Sequence, residues 1–465
     1  YTHLNTVNCF GNFIGRLSGR GERVALTMPD TVLSTNASGQ VETNLIHVVV
    51  DEVTYGTGGA WGQWSDGGGS SLELRDARAN GRLGANWADS DETAKAPWTL
   101  IETTGVVDLG NVAADQLQVL LQGAGECLID DVQVLDASGS NLIANSTFEG
   151  GVSGWTAQGT MSQSSWESTE GFNSSRSYHI RAVDRGDNQV NRVRVPLTAT
   201  LSSGSVATIR ARARWLRGNP ELIFRLRGNW LEAAGRMTLP AQPGTPALPN
   251  SRAGQNAPPV IYEVSHRPVL PAANEPVVVS ARVHDPDGVS SFLLTYRVDP
   301  SGSSSTITLR DDGLMGDAVA GDGLYSAILP GQSAGTLVAF YLQATDRFSP
   351  AATSRYPADA PTRECLVRFG EATPTGNFPV YRFWMTQATF DAWTSRLKLD
   401  NTPNPVTFVL GDRRVIHLTQ ALFAGSPYIA PGFSTPSGNR CGYSVTFPAD
   451  DPFLGSEDLV LDWPG

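Results

Sequence analysis

The sequence predicts an all-β, multi-domain chain with a small α+β segment at its C-terminal end. Three observations lead there. Glycine (48) and proline (29) are abundant among the 465 residues and punctuate the chain with turns. Alternating apolar and polar runs recur along most of the length, and one segment alone, after Asn377, carries a convincing helical period. Hydrophobic residues make up 40% and charged residues 17% of the chain, enough to bury cores and inconsistent with disorder. The length favours about three or four domains.

The first elements are strands. "GERVALTMPD" from Gly21 places Val24 and Leu26 on one face, and "LIHVVVDEVTY", Leu45 to Tyr55, reads as a more deeply buried strand. "SSLELRD", Ser70 to Asp76, sets Leu72 and Leu74 against Glu73 and Arg75, with the leucines inward. "GRGERVAL", "VDEVTYG", "W-x-x-W-SDGGGSSLEL" and "NWADS" together resemble the bacterial lamin-tail domains, which are small immunoglobulin-like sandwiches. "PGTPALPNS", from Pro243, is similar to that family's closing "GTPGxxN" segment. The resemblance implies a sandwich built from residues 1–100 and 237–252, with residues 101–236 inserted at an exposed loop.

The inserted block has its own pattern. "LQVLLQGAGECLIDDVQVL", Leu117 to Leu135, reads as two strands around a glycine turn, followed by "NLIANSTFEGGVSGW". The "IDDV" and "N-L-x-x-N-x-x-F-E-x-G-x-x-x-W" segments resemble the carbohydrate-binding jelly rolls of secreted glycosidases, in permuted order. That resemblance implies a structural calcium held by Glu149 and Asp131, since oxygen ligands on neighbouring strands suit the ion. Further on, Ile209, Ala211, Ala213 and Trp215 share one face of a strand and Arg210, Arg212 and Arg214 the other. Leu222, Phe224 and Leu226 oppose Arg225 and Arg227 on the next strand. With "RGNP" as a turn, the pattern predicts a hairpin whose one face is covered by these arginines. Like charges across a ladder repel, so the face needs carboxylates or an anionic ligand. "RGD", Arg185 to Asp187, is read as a turn.

A third unit, 257–370, contains "V-x-D-P-D-G-V" and closes with "TLVAFYLQATDRFS". It resembles the immunoglobulin- or fibronectin-like modules of bacterial surface proteins. Its loop "RDDGLMGDAVAGDGLYSA" carries Asp311, Asp312, Asp317 and Asp322 among glycines, enough oxygen for calcium although the spacing is not that of an EF-hand. Asp and Gly chosen for backbone turns would look the same.

The last segment, 371–465, opens with a strand and a helix capped by Thr386, with Phe390, Trp393 and Leu397 on one face. A strand pair around "GD" and a later "Y-x-x-x-F-P-x-D-D-x-F-L-G" follow; together these resemble the start of the CotH-type atypical kinases. In that family a cation-bearing "R-x-K-G-x-S" contacts phosphate. Here the matching positions are Leu422 to Pro427, with Leu422 and Ala424 in place of both cations. The family's catalytic acids are expected beyond Gly465, so no complete kinase active site is expected in this chain.

The remaining composition narrows function. Net charge is −12, which argues against nucleic-acid or anionic-membrane partners, and no apolar run is long enough to span a membrane. Lysine occurs only at Lys95 and Lys398. The arginine excess suits binding of carboxylate or sulfate, or reflects base composition of the gene. The widely spaced Cys9, Cys127, Cys365 and Cys441 form no metal knuckle, and their pairing stays open. No HExxH, P-loop or G-x-S-x-G occurs. The chain begins at Tyr1, as expected of a processed product. The expected function is an extracellular or cell-surface structural or adhesive protein that binds glycans, acidic ones included, or self-associates. The alternative is a CotH-type kinase with appended binding domains.

Overall fold

Strand follows strand in the computed structural model, which describes residues 1–7, 9, 15–108, 110, 112–228, 231–397, 399–424 and 442–462. Near the N-terminus β1 (Glu22–Thr35) and β2 (Val41–Tyr55) form an antiparallel ribbon. Its tip is an Asn36 turn: the Asn36 carboxamide oxygen accepts from the Ser38 and Gln40 amides, and Gly39 supplies a φ of +82°. Next, β3 (Leu72–Leu74) pairs with β4 (Trp87–Asp89). The strands of residues 1–98 therefore build a ribbon and a short pair, where a sandwich was expected. Among the described residues no second sheet faces the ribbon, and every residue from Leu26 to Thr35 and from Val41 to Asp51 is exposed. The expected burial of Leu45–Val50 is likewise corrected.

The orientation of β3 is also the reverse of the expectation: Glu73 is buried and the flanking leucines are half-buried. Glu73 faces the segment from Pro243 to Arg252. It accepts from the Thr245 hydroxyl, from Ser251 Oγ at 2.8 Å and from the Arg252 amide at 3.0 Å. Glu92 holds the same segment by accepting from the Gly244 amide at 2.9 Å, and Lys95 donates to the Gly244 carbonyl at 3.0 Å.

Residues 99–236 make a two-layer sandwich. Its strands are β5 (Thr99–Val106), β6 (Ala114–Leu121), β7 (Gly125–Leu135), β8 (Thr156–Gln158), β9 (Ser165–Glu167), β10 (Ser177–Ala182), β11 (Arg192–Leu201), β12 (Val206–Gly218), β13 (Glu221–Leu226) and β14 (Glu232–Arg236). One five-stranded sheet runs β5-β12-β7-β10-β9 and the other β14-β13-β6-β11-β8. The inward faces interdigitate in one core that includes Leu117, Ile129, Phe148, Tyr178, Ile209, Trp215 and Phe224. Alternation along β12 and β13 is as the sequence predicts: Ile209, Ala211, Ala213, Leu222, Phe224 and Leu226 are buried.

The third unit holds β15 (Val260–Arg267), β16 (Val277–His284), β17 (Val289–Val298), β18 (Ser304–Thr308), β19 (Leu324–Leu329), β20 (Leu337–Asp346), β21 (Thr353–Tyr356) and β22 (Cys365–Arg368). A three-stranded sheet, β15-β16-β19, faces a five-stranded one, β18-β17-β20-β21 with β22 also on β20. Val279, Phe292, Leu294, Phe340 and Cys365 fill the space between. The last unit is an antiparallel sheet of β23 (Tyr381–Trp384), β24 (Asn404–Leu410), β25 (Arg414–Ala424), β26 (Gly442–Thr446) and β27 (Asp458–Leu461), with α1 (Gln387–Ser395) against it. Thr386 caps α1 by accepting from the Thr389 amide at 3.2 Å, as expected. Trp393 is buried, whereas Leu397 lies past the helix end and is exposed.

The junction between these last units is apolar. Val269, Leu270, Leu337, Ala339 and Leu366 pack with Trp384 and Val409. No helix among the described residues is long and apolar enough to cross a membrane.

Candidate functional site

The sandwich of residues 99–236 separates the arginines that sequence reasoning placed together. β12 and β13 belong to opposite sheets, so Arg210, Arg212 and Arg214 face outward on one side and Arg225 and Arg227 on the other. The "RGNP" turn carries the chain across the sandwich and does not close a hairpin. Most of these charges have local partners. Arg210 donates to Gln133 Oε1 at 2.6 Å and lies 4.0 Å from Glu102. Arg214 pairs with Glu170, Arg225 with Glu232, and Arg227 with Asp115 at 2.9 Å.

Arg212 differs. Among the described residues it has no carboxylate at ion-pair distance. Its guanidinium sits 4.4 Å from the centre of the Phe172 ring, a cation–π arrangement. Phe172 in turn meets Trp98 edge-on, with centroids 6.0 Å apart. Nearby, Arg176 lies over Trp166, 5.0 Å from its centre, and Trp166 is 39% exposed. An outward patch of planar rings and guanidinium groups results. The sequence signal for it was available in the alternation of β12. Phe172 and Trp98 come from loops, however, and no periodicity brings them to Arg212.

Beneath the patch lies a buried carboxylate, one of the Asp130/Asp131 pair that sequence reasoning weighs as glycosidase-like and reads as structural. Asp130, opposite Arg212 in the β7–β12 ladder, is 1% exposed. It accepts from the Phe172 amide at 2.8 Å and from the Asp131 amide at 2.8 Å. Burial raises its pKa to about 6, with added repulsion from Asp131 and Glu149. Among the described residues, however, Asp130, Asp131 and Glu149 do not bring carboxylate oxygens together as a set of three ligands, as the aspartates of the β18–β19 loop do. Asp131 has a φ of +47° where the ladder shifts register, so the adjacent aspartates do not simply alternate across the strand.

The loop between β18 and β19 gathers three of its four aspartates. Carboxylate oxygens of Asp311, Asp317 and Asp322 lie within 4.8 Å of one another. Asp312 is outside this group and pairs with Arg310 at 3.3 Å. The loop is shaped by backbone donors: Asp311 accepts from the amides of Gly321 and Gly323 at 2.7 and 3.0 Å, and Asp317, 7% exposed, accepts from Gly313. This donor set suits a hard divalent cation such as calcium.

Other polar residues take structural roles. In the "RGD" stretch, Asp187 accepts from the amides of Gln189, Val190 and Asn191, which fixes a turn. Asp450 accepts from the Ala60 amide at 2.9 Å and Asp451 pairs with Arg414. Leu422 and Ala424 end β25, while Gly425, Ser426, Pro427, Lys398 and Cys441 lie outside the described residues. Cys127 and Cys365 are buried thiols whose pKa values burial pushes up. A cleft of about 640 Å³, lined by Asp299, Arg368, Phe383, Trp384 and Gln387, opens between the third unit and the C-terminal sheet.

Residues 288–344, which run from the turn before β17 into β20, match the family described as the conditioned medium factor second Ig-like domain. No curated protein matches the chain.

Proposed function

We propose that this chain is a modular adhesive protein of the cell surface or the extracellular space, and that its 99–236 sandwich contacts glycans. The observation that carries the reading is the Arg212–Phe172–Trp98 patch on the outer face of β12. Sugar rings stack on planar side chains, and an arginine lacking a carboxylate partner suits acidic sugars or sulfate esters. The Ig-like match supports an interaction module in the neighbouring unit, and a family named for a conditioned medium factor agrees with a place outside the cell. The carbohydrate-binding-like jelly roll is part of this reading. So is a structural calcium, held by Asp311, Asp317 and Asp322 and, in the sandwich, by Asp131 and Glu149 beside Asp130.

The test is a panel of neutral and acidic polysaccharides, with calorimetry on the best binder. Arg212→Glu should lower affinity for acidic glycans at least tenfold, steeply with salt, while Arg225→Glu on the opposite sheet leaves it unchanged. Equal binding by the parent and Arg212→Glu refutes the site.

A further inference from the structure

The joint between the third unit and the C-terminal sheet buries more polar atoms than it satisfies. On the sheet, Trp384 of β23 lies opposite Thr407 of β24, and His417 of β25 follows where β24 and β25 shift register. His266 of β15 reaches the same spot from the third unit. Its ring stacks on Trp384 with centroids 6.3 Å apart and lies 5.4 Å from the ring of His417. All four side chains are buried, and the rest of the joint is aliphatic, with Leu270, Leu337 and Leu366 packed toward Val409. Among the described residues, five polar atoms here have no hydrogen-bond partner: the Trp384 indole nitrogen, the Thr407 hydroxyl, both ring nitrogens of His417 and Nδ1 of His266. The other nitrogen of His266 meets the Val269 carbonyl at a long 3.4 Å. Buried polar atoms are nearly always paired, because an unpaired one forfeits the hydrogen bonds it makes to water. A joint with so many unpaired atoms regains hydrogen bonds when it opens.

We propose that this joint is an acid-sensitive latch, closed while its two histidines are neutral and released when they take up protons. The surroundings select this role. A buried imidazolium needs an acceptor facing it, and the nearby carboxylates are already engaged. Glu364, which lines a cleft of about 350 Å³ together with His417, accepts from Nε of Arg297 at 3.0 and 3.1 Å. Asp299 accepts from Arg297 at 2.8 Å and from the Gln387 amide at 2.7 Å. The other charged groups are cations. Arg363 lines the same cleft and pairs with Asp359 at 3.2 Å, and Arg267 adjoins His266. What α1, β20 and β24 present there is uncharged: Thr389 and Asn404 line the cleft, and Phe340 meets the His417 ring edge-on at 5.7 Å. Two imidazolium rings this close would also repel each other. Burial accordingly lowers His266 to about 4, with Arg267 adding to the effect, and lowers His417 well below 6.5, with His266 adding to it.

The sign follows from linkage. The closed joint keeps both rings neutral, so opening is favoured increasingly as pH falls below the ordinary histidine value of 6.5 and is unaffected above it. At pH 4.5, each histidine that is neutral when closed and solvated when open favours opening by about a hundredfold. The two together act by more than about a thousandfold.

Hydroxyl-radical footprinting of the full chain at pH 7 and pH 4.5, read by mass spectrometry, tests the proposal. Trp384 reports the joint. Trp393, buried within the C-terminal unit, and Trp215, in the core of the 99–236 sandwich, report unfolding of those units. In the parent, oxidation of Trp384 should rise at least tenfold at pH 4.5 and fall back on return to pH 7, while Trp393 and Trp215 stay protected. His266→Phe with His417→Phe should keep Trp384 protected at both pH values. His417→Gln, which cannot be charged but keeps a polar side chain, should fall between and carries the test if the double variant does not fold. A parent whose Trp384 stays protected at pH 4.5, or is exposed only together with Trp393, overturns the proposal. So does a double variant that opens like the parent, which would move the trigger to Asp299 and Glu364. None of these outcomes depends on whether Arg212 binds glycans.

Discussion

Glu73 is the post to which the segment Pro243–Arg252 is tied, and its removal should free that segment without unfolding either sandwich. The carboxylate is 2% exposed and serves the Thr245 hydroxyl, the Ser251 hydroxyl and the Arg252 amide, with Ser71 Oγ at 3.3 Å as a fourth donor. Burial alone would push its pKa up, but these donors outweigh burial and hold it below the usual carboxylate range. Replacing it with alanine leaves three donors of the closing segment without an acceptor. Each costs about 1–1.5 kcal/mol where water cannot fully replace the lost partner, so Glu73→Ala should weaken the attachment by about 3 kcal/mol. That is roughly a hundredfold in the population of the detached segment. Trypsin cleavage after Arg252, under conditions where reclosing is faster than cutting, reads this population directly. Glu73→Gln keeps one acceptor oxygen and should fall in between; Glu42→Ala, on the exposed ribbon, should change nothing. Because the folded pKa is depressed, the contribution is complete above the unfolded value near 4.5 and is lost as pH falls through the folded one. Hydrogen exchange of the 243–252 amides should accordingly show the Glu73→Ala difference at pH 7 and shrink toward pH 3. Parent-like cleavage in Glu73→Ala would refute the reasoning.

Two further outcomes follow from buried groups. His266 and His417, with ring centroids 5.4 Å apart at the junction of the third unit and the C-terminal sheet, are held neutral. Burial lowers His266 to about 4, aided by Arg267, and lowers His417 well below 6.5. A depressed histidine pKa costs nothing above pH 6.5 and destabilises progressively below it, by about 3 kcal/mol for His266 alone at pH 4. Calorimetry of the parent against His417→Phe should show the variant losing less stability between pH 6.5 and 4.5; parallel curves would rule this out. Calcium should raise the melting transition that contains the third unit, Asp317→Asn should abolish the rise, and Asp312→Asn should preserve it. Identical transitions in calcium and in chelator would remove the ion from that loop.

The sequence announced the local devices and was silent on what they meet. The alternation of Ile209, Ala211, Ala213 and Trp215 is a strand property, so it was readable without the partner. The Thr386 cap depends on three residues and was equally plain. Which sheet a strand joins depends on the whole unit. The four residues Arg217–Pro220 looked like a hairpin turn, yet the Gly218 amide donates to Gly68 and the Asn219 amide to Ala124, which directs the chain across the sandwich. Glu73 between two leucines looked solvent-facing because charge was taken as the guide. Its burial is set by donors more than 170 residues away. Leu45–Val50 looked buried because apolar residues usually are; whether anything lies opposite them is not written in that stretch.

The same contrast bears on how the units work together. Trp384 and Val409 of the C-terminal sheet complete an apolar cluster with five residues of the third unit, and the Gln387 amide at the start of α1 donates to Asp299 Oδ2 at 2.7 Å. Shearing that junction would expose buried aromatic surface, which costs hydrophobic free energy. The contact of the third unit with the N-terminal part is of another kind. Arg78 forks onto Asp287 at 2.7 and 2.9 Å and donates to the Gln255 carbonyl at 2.9 Å, all at exposed positions that salt and water weaken. Between them runs "NSRAGQNAPP", whose Gly254 and two prolines set a short, polar connection. The C-terminal unit is also tied back directly to the first 236 residues: the Asn401 amide donates to Asn191 Oδ1 at 3.0 Å and the Ala60 amide to Asp450 at 2.9 Å.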